Sequence, residues 1–544
     1  MDKWRRITLI TILFFTVFTS IFFFPYLGEK EFQGEEGRRV LVAITMIETG
    51  DLLLPKLLTE PYFNKPPLYN WVIALFFKIT NNFSELTARA TSTFSILITA
   101  LFLTFLWRKM ILAPDENKSN LQFTLYLLPG LIFLTTPDVI DKALRSEIDA
   151  FYTMLITFGL FLWFYFYEVK SKKYIAFFFL GIFLGLGILT KTFQALIFFY
   201  LAFIPYLLWQ KRIREFFSLP HLLGIFTMMF VFLLWAIPVS LKNGVMPFLQ
   251  AWMAEYKSAA IAGEMQVLQH FESYTLYFLT DYSPWLLFLL FYRGKSLRHF
   301  LKSRPLLWKL CLFSTFAFAL TYIFHLFFLG SRLRYILPSV GGFVILVSLV
   351  FYYLHQVGLP KPNLFRTSVL VFSLANLLIG FLFLLYLLNK KFPVPTLFYL
   401  VHLVFILLNL FIFLKFEATV KSLIWYLVLY IFLLKHLYVF FYYPLHITKM
   451  NYHRKAAIEI GNMLREKDKN ELYFCRTIPH NLTYYLKYRY NLVDTLIYID
   501  NCQKLPSKSF ILVMQKDYDL NWDRSVKAIP LKVREKRYYL LYKE

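Results

Sequence analysis

The chain consists of long apolar segments separated by short polar ones. These segments recur from the N-terminus to about residue 443, and at roughly 18 to 25 residues each could cross about 30 Å of hydrocarbon. The pattern predicts a polytopic helical membrane protein with about thirteen transmembrane helices. The predicted spans lie near 7–27, 87–107, 121–137, 148–167, 174–189, 192–209, 220–241, 275–292, 306–328, 335–354, 367–388, 395–414 and 422–443.

Composition agrees with this interpretation. Of the 544 residues, 58% are hydrophobic and only 17% are charged, which is more apolar surface than one soluble core could bury. The first apolar run is followed by FFFPY rather than by small residues typical of a cleavage site, so we expect a retained helix and not a signal peptide. Aromatic residues could face lipid or line a prenyl groove, and both possibilities remain open.

The net charge of +25 is distributed in a way that indicates membrane orientation and not nucleic-acid binding. With a cytoplasmic N-terminus, the short loops on the cytoplasmic side carry most of the loop lysines and arginines, as the positive-inside rule requires. The clusters are at 108–109, 170–173, 211–214, 293–304, 361–366 and 415–421. An odd number of spans then places the C-terminus outside, and we predict a multi-pass protein of the inner (plasma) membrane with a periplasmic C-terminal domain.

Two polar segments interrupt the membrane pattern. The first is an outer loop at 28–89, with a predicted helix at 35–49 and an interfacial apolar piece at 69–79. The second is 444–544, where a helix at 452–466 precedes short β-rich runs at 471–475, 492–499, 509–515 and 538–542. We therefore predict a transmembrane domain at 1–443 and a small extracytoplasmic α/β domain at 444–544. A disulfide between Cys475 and Cys502 is one alternative, and two free thiols are the other.

Candidate chemistry lies at the predicted outer ends of the spans. Ionisable residues gather in the first loop, around 138–149, at Lys191, and at Arg332 and Arg334. Charges at membrane depth are expensive and often functional, although any single one could simply cap a helix or contact headgroups. Asp149 could be only a helix-dipole partner, whereas Lys191 has apolar neighbours and needs an anionic partner if buried. A phosphate-cradling glycine loop, GxSxG, HExxH and paired CxxC motifs are absent from the sequence.

Seven short motifs resemble a known family. Residues 33–38 (QGEEGR) are similar to its D-E-[AG]-R segment, 50–55 (GDLLLP) to G-D-W-x-x-P, and 61–68 (PYFNKPPL) to P-Y-F-E-K-P-P-L. Residues 148–149 (ID) resemble its L-D, and 189–191 (LTK) its L-T-K-G. Residues 283–285 (SPW) and 334–338 (RYILP) are also similar to segments of this family. The family comprises polyprenyl-phosphate-sugar-dependent glycosyltransferases of the C superfold (GT-C), the group of the aminoarabinose transferases (ArnT) and protein O-mannosyltransferases. The resemblance covers about residues 1–340.

The resemblance implies a sugar donor carried on a C55-type (undecaprenyl) phosphate and transfer on the outer face with inversion. Glu35 falls at the family's first-loop catalytic aspartate, and Asp149 at its second acidic residue. The positions expected to bind the donor phosphate are Arg38, Tyr62, Lys65, Lys191 and Tyr335. Arginine and lysine stabilise a departing phosphate, and a carboxylate could act as general base toward a hydroxyl acceptor.

The chain departs from the family pattern at two positions. Glu35 replaces the aspartate, which adds one methylene of reach, and Asn64 stands where the ArnT-like motif has a zinc-binding glutamate. His270 could be a remnant of that metal site. Because one histidine and an asparagine make a poor zinc site, we predict no metal and no other cofactor.

The sequence therefore favours a membrane glycosyltransferase acting on lipid A or lipopolysaccharide. The predicted partners are the polyprenyl-phosphate-linked sugar donor, a lipid or glycan acceptor and membrane lipids, without nucleic acid. A protein or other glycan O-glycosyltransferase of the same fold is the nearest alternative. A flippase or transporter of lipid-linked sugars is the alternative from another class, and it predicts broken helices with charges at the midplane.

Overall fold

The computed structural model describes residues 3–111, 123–260, 265–390, 396–500, 508–521, 527–534 and 536–543. Its N-terminal part comprises α1 (Lys3–Phe23), α2 (Glu36–Thr49), β1 (Lys56–Leu57), β2 (Glu60–Pro61), α3 (Leu68–Thr80) and α4 (Glu85–Ile111). The middle part comprises α5 (Phe123–Leu134), α6 (Pro137–Ala143), α7 (Ile148–Phe164), α8 (Lys173–Lys191), α9 (Gln194–Trp209), α10 (Leu219–Asn243), α11 (Met246–Ala260) and α12 (Met265–Asp281). The remaining helices of the bundle are α13 (Lys295–Lys302), α14 (Pro305–Thr315), α15 (Thr321–Phe327), α16 (Val340–Val357), α17 (Pro362–Lys390), α18 (Thr396–Lys415) and α19 (Val420–Lys449).

Within the described residues, ten helices are long and apolar enough to cross a membrane, or eleven if the bent pair α5–α6 is one span. The two helices of that pair meet at 65°. Two of the thirteen predicted spans differ from the prediction. Helix α9 has only 16 residues, and the predicted span at 275–292 is interrupted after α12 and continues as a 3₁₀ helix, Trp285–Arg293. Pro284 precedes this second piece and has no N–H to continue the α-helical hydrogen bonds.

The centre of the bundle is formed by α7 and by α16, which is almost entirely buried. Helices α8 and α10 approach closely through glycines: a Cβ on Gly181 would lie only 2.8 Å from the Cβ of Thr227 and would press on the backbone oxygen of Gly224. Small residues allow this approach, which is the usual way in which membrane helices pack tightly. The predicted fold class, a helical membrane bundle with a small α/β domain, is confirmed.

The first polar loop folds as predicted around two helices. Glu35 is the N-cap of α2, and Gly50 ends that helix in the left-handed conformation with φ of 68°, which glycine adopts without steric cost. Helix α3 replaces the predicted apolar piece at 69–79 with nearly the same bounds. Between them, β1 and β2 pair antiparallel and form a two-stranded hairpin.

The C-terminal domain comprises α20 (Tyr452–Glu466), β3 (Glu471–Cys475), α21 (His480–Tyr484), β4 (Thr495–Ile499), β5 (Ser509–Met514), α22 (Gln515–Asn521), β6 (Lys527–Val533) and β7 (Lys536–Lys543). The strand order is β4-β3-β5-β7-β6, with β3 parallel to β4 and β5, and β7 antiparallel to β5 and β6. The sequence did not predict β6, which contains Pro530. Proline is tolerated there because β6 is an edge strand.

The domain rests on the first loop through buried polar contacts. Glu85 lies 2.6 Å from the guanidinium of Arg454 and accepts a hydrogen bond from the Tyr485 hydroxyl at 3.1 Å. Glu31 accepts from the backbone N–H of His453 at 2.9 Å. The loop and the domain therefore share one interface. Cys475 is disulfide-bonded and Cys311 is a free buried thiol; Cys502 lies outside the described residues.

Candidate active site

A cavity of about 420 Å³ lies between the first loop and one end of the helix bundle. Asp149 stands at the start of α7 and Lys191 at the end of α8, and these antiparallel helices therefore bring both residues to the same end. The lining residues are Glu35, Arg38, Arg39, Tyr62, Asn64, Lys65, Glu147, Ile148, Asp149, Lys191, Ala251, Ala254, Arg332, Arg334 and Tyr335.

Glu35 presents its carboxylate to this cavity from the N-cap of α2. Oε2 lies 2.8 Å from Nη1 of Arg38 and 3.9 Å from Nη2 of Arg39. The spacings of three and four residues place both arginines on the same helix face as Glu35. The Glu35 side chain remains 37% exposed, so its carboxylate is open to a molecule in the cavity.

The neighbouring Glu36 has a structural position instead. It is buried, and its carboxylate accepts from Arg89 Nε at 2.8 Å and from the backbone N–H of Ser146 at 2.9 Å. It also accepts from the backbone N–H of Gln33 at 2.9 Å. Burial alone would raise the pKa of Glu36, but the charge and hydrogen bonds of Arg89 hold it below its ordinary value. Glu36 thus connects the first loop to α4, whereas the carboxylate of Glu35 lines the cavity.

Asp149 is buried and paired with Lys191. Its Oδ1 lies 2.8 Å from Lys191 Nζ, and its Oδ2 lies 4.0 Å from Nε of Arg334. Lys191 Nζ also lies 4.4 Å from the centre of the Tyr335 ring, within cation–π range. The anionic partner that the sequence required for Lys191 is therefore Asp149, which fixes the lysine at the cavity wall.

Glu147 extends this ion-pair network. Its Oε2 lies 3.2 Å from Nη1 of Arg334 and 3.6 Å from Lys142 Nζ. Burial raises the pKa of Glu147 and the charge of Asp149 adds to the shift, whereas Lys142 and Arg334 oppose it. Burial would lower the pKa of Arg334, but Asp149 and Glu147 raise it. Arg334 is thereby held between two carboxylates at the cavity wall.

The segment 61–68, at the end of the β1–β2 hairpin, supplies the opposite wall of the cavity. The Tyr62 hydroxyl accepts from Arg39 Nη1 at 3.0 Å, and Lys65 lines the cavity beside it. Two tryptophans of the bundle donate hydrogen bonds from their indole N–H groups to the backbone of the first loop. Trp252 donates to the carbonyl of Phe63 at 2.9 Å, and Trp235 donates to the carbonyl of Leu53 at 2.9 Å. The motif is thus anchored by backbone contacts, which leaves its polar side chains for the cavity.

The structure brings all seven predicted site residues to one cavity. They are Glu35, Arg38, Tyr62, Lys65, Asp149, Lys191 and Tyr335. Four further ionisable lining residues were not assigned to the site from sequence: Arg39, Glu147, Arg332 and Arg334. Arg39 lies four residues after Glu35 in the same predicted helix, and this spacing could have indicated it. Arg334 directly precedes the predicted residue Tyr335, and this adjacency could have indicated Arg334. The lining then holds six basic side chains and three carboxylates, an excess of positive charge that suits an anionic ligand.

The lining does not fit a zinc ion. Asn64 lines the cavity without a carboxylate, and His270 is not among the lining residues but packs 5.1 Å from the Tyr274 ring. Among the residues that the structure describes, no group of three or more histidine, cysteine, aspartate or glutamate side chains could hold a metal ion.

Comparisons with known sequences agree with these motifs. Residues 64–237 match the family model described as dolichyl-phosphate-mannose-protein mannosyltransferase. Undecaprenyl phosphate-α-4-amino-4-deoxy-L-arabinose arabinosyl transferases are similar over part of the chain. The one from Pseudomonas savastanoi is 28% identical over 204 residues, 36% of this chain and 36% of the relative. That from Photorhabdus laumondii is 25% identical over 272 residues, 49% of this chain and 47% of the relative. The chain thus matches less than half the length of these relatives.

The similarity of fold extends much further. The crystal structure of ArnT from Cupriavidus metallidurans bound to undecaprenyl phosphate superposes with a TM-score of 0.66 at 16% identity, covering 98% of this chain and 97% of that chain. The apo state of the same protein gives 0.65. In fold over nearly its whole length, and in sequence over part of it, the chain therefore resembles the ArnT-like polyprenyl-phosphate-dependent glycosyltransferases of the C superfold.

Proposed function

We propose that the chain is an integral membrane glycosyltransferase that moves a sugar from a polyprenyl phosphate to lipid A or lipopolysaccharide on the extracytoplasmic face. The observation that carries the proposal is the cavity itself, where cations surround an accessible carboxylate at one end of a membrane bundle. The named relatives use undecaprenyl phosphate and transfer an aminoarabinose, a pentose.

The basic residues are suited to the departing phosphate. During transfer the bond between the anomeric carbon and the phosphate oxygen breaks, and polyprenyl phosphate leaves with the bonding electrons and its negative charge. Arg38, Lys65 and Lys191 line the cavity in which that charge would be stabilised. Tyr62 and Tyr335 orient Arg39 and Lys191 respectively. Attack by the acceptor from the opposite face then inverts the anomeric carbon.

Glu35 is the residue that meets the acceptor in this proposal. If the acceptor is a lipid A phosphate, its oxygen is already ionised and needs no general base. If the acceptor is a protein or glycan hydroxyl, Glu35 takes the proton as general base. The exposure of Glu35 and the burial of Asp149 support this division. Asp149 acts as a positioning residue, because its carboxylate is committed to Lys191 and Arg334.

The flippase alternative is less well supported by the same geometry. It predicts discontinuous helices and charges near the middle of the bilayer. In the described residues one predicted span is interrupted, before Trp285, but the cavity that collects the charges lies at the helix ends, where α7 begins and α8 ends. The site therefore fits glycosyl transfer better than transport of the lipid carrier across the membrane.

The test compares lipid A and envelope glycoconjugates by mass spectrometry in cells with and without the gene. We expect a sugar that is missing in the deletion strain and restored by the wild-type chain but not by Glu35→Gln or Asp149→Asn. Glu60→Gln, which changes an exposed glutamate of the same loop, is the matched control and should restore the sugar. Full restoration by both site variants would contradict the assignment, and unchanged glycans with a redistributed lipid carrier would favour the flippase.

A further inference from the structure

A second cavity of about 570 Å³ lies beside the bundle, between α6, residues 283–284 and the helices α17 and α19. It shares no lining residue with the candidate active site. Most of its wall is apolar, with Ile140, Leu144, Leu427 and Ile431 among the lining side chains. Lys30, Asp141 and Arg145 add charged side chains to this wall, and their charges act on one another, so the cavity is amphipathic.

The polar end is rich in positive charge. Lys30 and Arg145 line the cavity together with Asp141, the one acidic side chain among its lining residues, whereas Lys435 donates to the backbone carbonyl of Phe22. Asp141 lies 2.8 Å from Nη2 of Arg145, but its other oxygen lies 2.7 Å from Lys142 Nζ, outside the lining. One carboxylate therefore serves several cations, and the positive charge at this end is not balanced by the lining residues.

The pKa of Lys30 reflects its burial and the excess of positive charge around it. Burial lowers its pKa to about 8, and the charges of Arg145 and Arg89 add to the shift, against weaker support from Glu36 and Asp141. An anion placed between Lys30 and Arg145 would relieve this repulsion. Phosphate oxygens suit these donors, since guanidinium and ammonium groups form their strongest hydrogen bonds to ionised acceptors.

The apolar end opens toward the side of the bundle. Phe372 and Leu434 line it and are 46% and 40% exposed. These residues belong to the membrane-spanning parts of α17 and α19, so their exposed faces meet hydrocarbon. A hydrocarbon chain can therefore enter from the bilayer without crossing water.

We propose that this second cavity binds an anionic phospholipid of the surrounding bilayer. The headgroup phosphate lies between Lys30 and Arg145, and the acyl chains lie along α17 and α19. The pairing of a cationic end with a laterally open apolar wall favours a membrane lipid over a free phosphate, which would leave the apolar wall without a partner. The proposal does not depend on glycosyl transfer.

The test uses the full purified chain in phosphatidylcholine nanodiscs with a photoreactive phosphatidylglycerol as probe. We expect crosslinks in the α19 segment 427–439 of the wild-type chain, mapped by mass spectrometry. Lys30→Gln combined with Arg145→Gln should reduce that labelling about tenfold or more, since two charge-assisted hydrogen bonds are lost. Leu434→Trp, which fills the open apolar wall without touching the charges, should also reduce it.

The matched control removes two exposed cations elsewhere, Lys295→Gln with Arg298→Gln, and should leave the labelling unchanged. Unlabelled phosphatidylglycerol should compete with the probe. Equal labelling by a photoreactive phosphatidylcholine, or undiminished labelling of both Lys30/Arg145 and Leu434 variants, would overturn the proposal. Displacement by inorganic phosphate would indicate a soluble-anion site, and displacement by undecaprenyl phosphate but not by phosphatidylglycerol a prenyl-lipid site; either result also overturns it.

Discussion

Glu35 and Asp149 face the same cavity but have different surroundings. Glu35 is 37% exposed and contacts arginines on its own helix, whereas Asp149 is 3% exposed and is paired with Lys191. A buried carboxylate with a close cationic partner is held in the ionised form and in one geometry. The two acidic residues that the sequence grouped together therefore have different proposed roles, with Glu35 near the acceptor and Asp149 behind the phosphate-binding lysine.

The pairing of Asp149 with Lys191 predicts non-additive substitution effects on ligand binding. Lys191→Gln should weaken equilibrium binding of undecaprenyl phosphate by about 10- to 100-fold, the equivalent of one charge-assisted hydrogen bond. Asp149→Asn should weaken it to a similar extent because it releases the lysine. The double variant should bind about as weakly as Lys191→Gln alone. Independent, additive losses would contradict the positioning role of Asp149.

His480 predicts a pH dependence of stability. Burial lowers its pKa to about 3, and the charges of Arg38 and Lys536 add to the shift. In the unfolded chain a histidine titrates near its ordinary pKa of about 6.5. Between these values only the unfolded state binds the proton, so stability should fall as the pH is lowered below about 6.5, by at most about 2 kcal/mol at pH 5.

The measurement is the thermal unfolding midpoint of the purified chain in detergent at pH 7 and pH 5. His480→Gln cannot titrate and should lose less stability than the wild-type chain over this interval. Equal losses in the two proteins would show that other groups cause the acid sensitivity.

At the scale of elements, two close approaches position the site. Helices α8 and α10 meet through glycines, and this contact holds the end of α8 where Lys191 stands. Helix α21 of the C-terminal domain meets the start of α2: Asn481 accepts from the backbone N–H of Gly37 at 3.0 Å and donates to the carbonyl of Gly34 at 3.4 Å. Asn481 therefore forms hydrogen bonds to the backbone on both sides of Glu35.

Gly181→Ala should destabilise the bundle because its new Cβ would press on the backbone of α10. We expect a loss of about 1–3 kcal/mol, typical of overpacking, measured as a lower thermal unfolding midpoint. Gly380→Ala is the matched control, since a Cβ on Gly380 would have its nearest neighbour at 3.7 Å. Similar midpoints for the two variants would contradict the role of the α8–α10 contact.

Asn481→Ala should loosen the turn around Glu35. The loss of the acceptor leaves the Gly37 N–H buried without its partner, which costs about 1–3 kcal/mol, and sugar transfer should fall with it. Limited proteolysis of the C-terminal domain and restoration of the glycan in cells measure the two effects. Asn491→Gly changes an exposed turn with φ of 49° and should be neutral. Wild-type transfer by the Asn481 variant would exclude this contact as a positioning element.

At the scale of the whole molecule, the first loop and the C-terminal domain form one layer on the bundle. The contacts of Glu85 with Arg454 and Tyr485 connect segments about 370 and 400 residues apart in sequence. Both segments must therefore lie on the same side of the membrane. The distribution of loop lysines and arginines predicts that this side is extracytoplasmic.

A reporter fusion tests this orientation. Alkaline phosphatase, which is active only outside the cytoplasm, should be active when fused after the C-terminal domain and inactive when fused in the α9–α10 loop near 211–214. A cytoplasmic fluorescent reporter at the same two positions should give the opposite pattern. Reversed activities would show that the chain, and with it the candidate active site, faces the cytoplasm.

The sequence by itself determined most of the helices and predicted, without a test so far, the side of the membrane on which each loop lies. Apolar run length fixes where helices can span, because unsatisfied backbone groups are excluded from hydrocarbon, and local signals placed α2, α3 and α20 to within about one residue. The resemblance of the motifs to a known family indicated seven site residues, and the structure brings them to one cavity.

Only the tertiary structure decided which charges meet. The pairing of Asp149 with Lys191, the place of Arg334 between two carboxylates, and the burial of Glu36 beside an exposed Glu35 depend on helices that are distant in sequence. The edge strand β6 and the break before Trp285 likewise depend on neighbours and not on local pattern. The physical reason is that hydrophobic periodicity specifies which face is buried, while ion pairs form between whichever side chains the packed helices bring within a few ångströms.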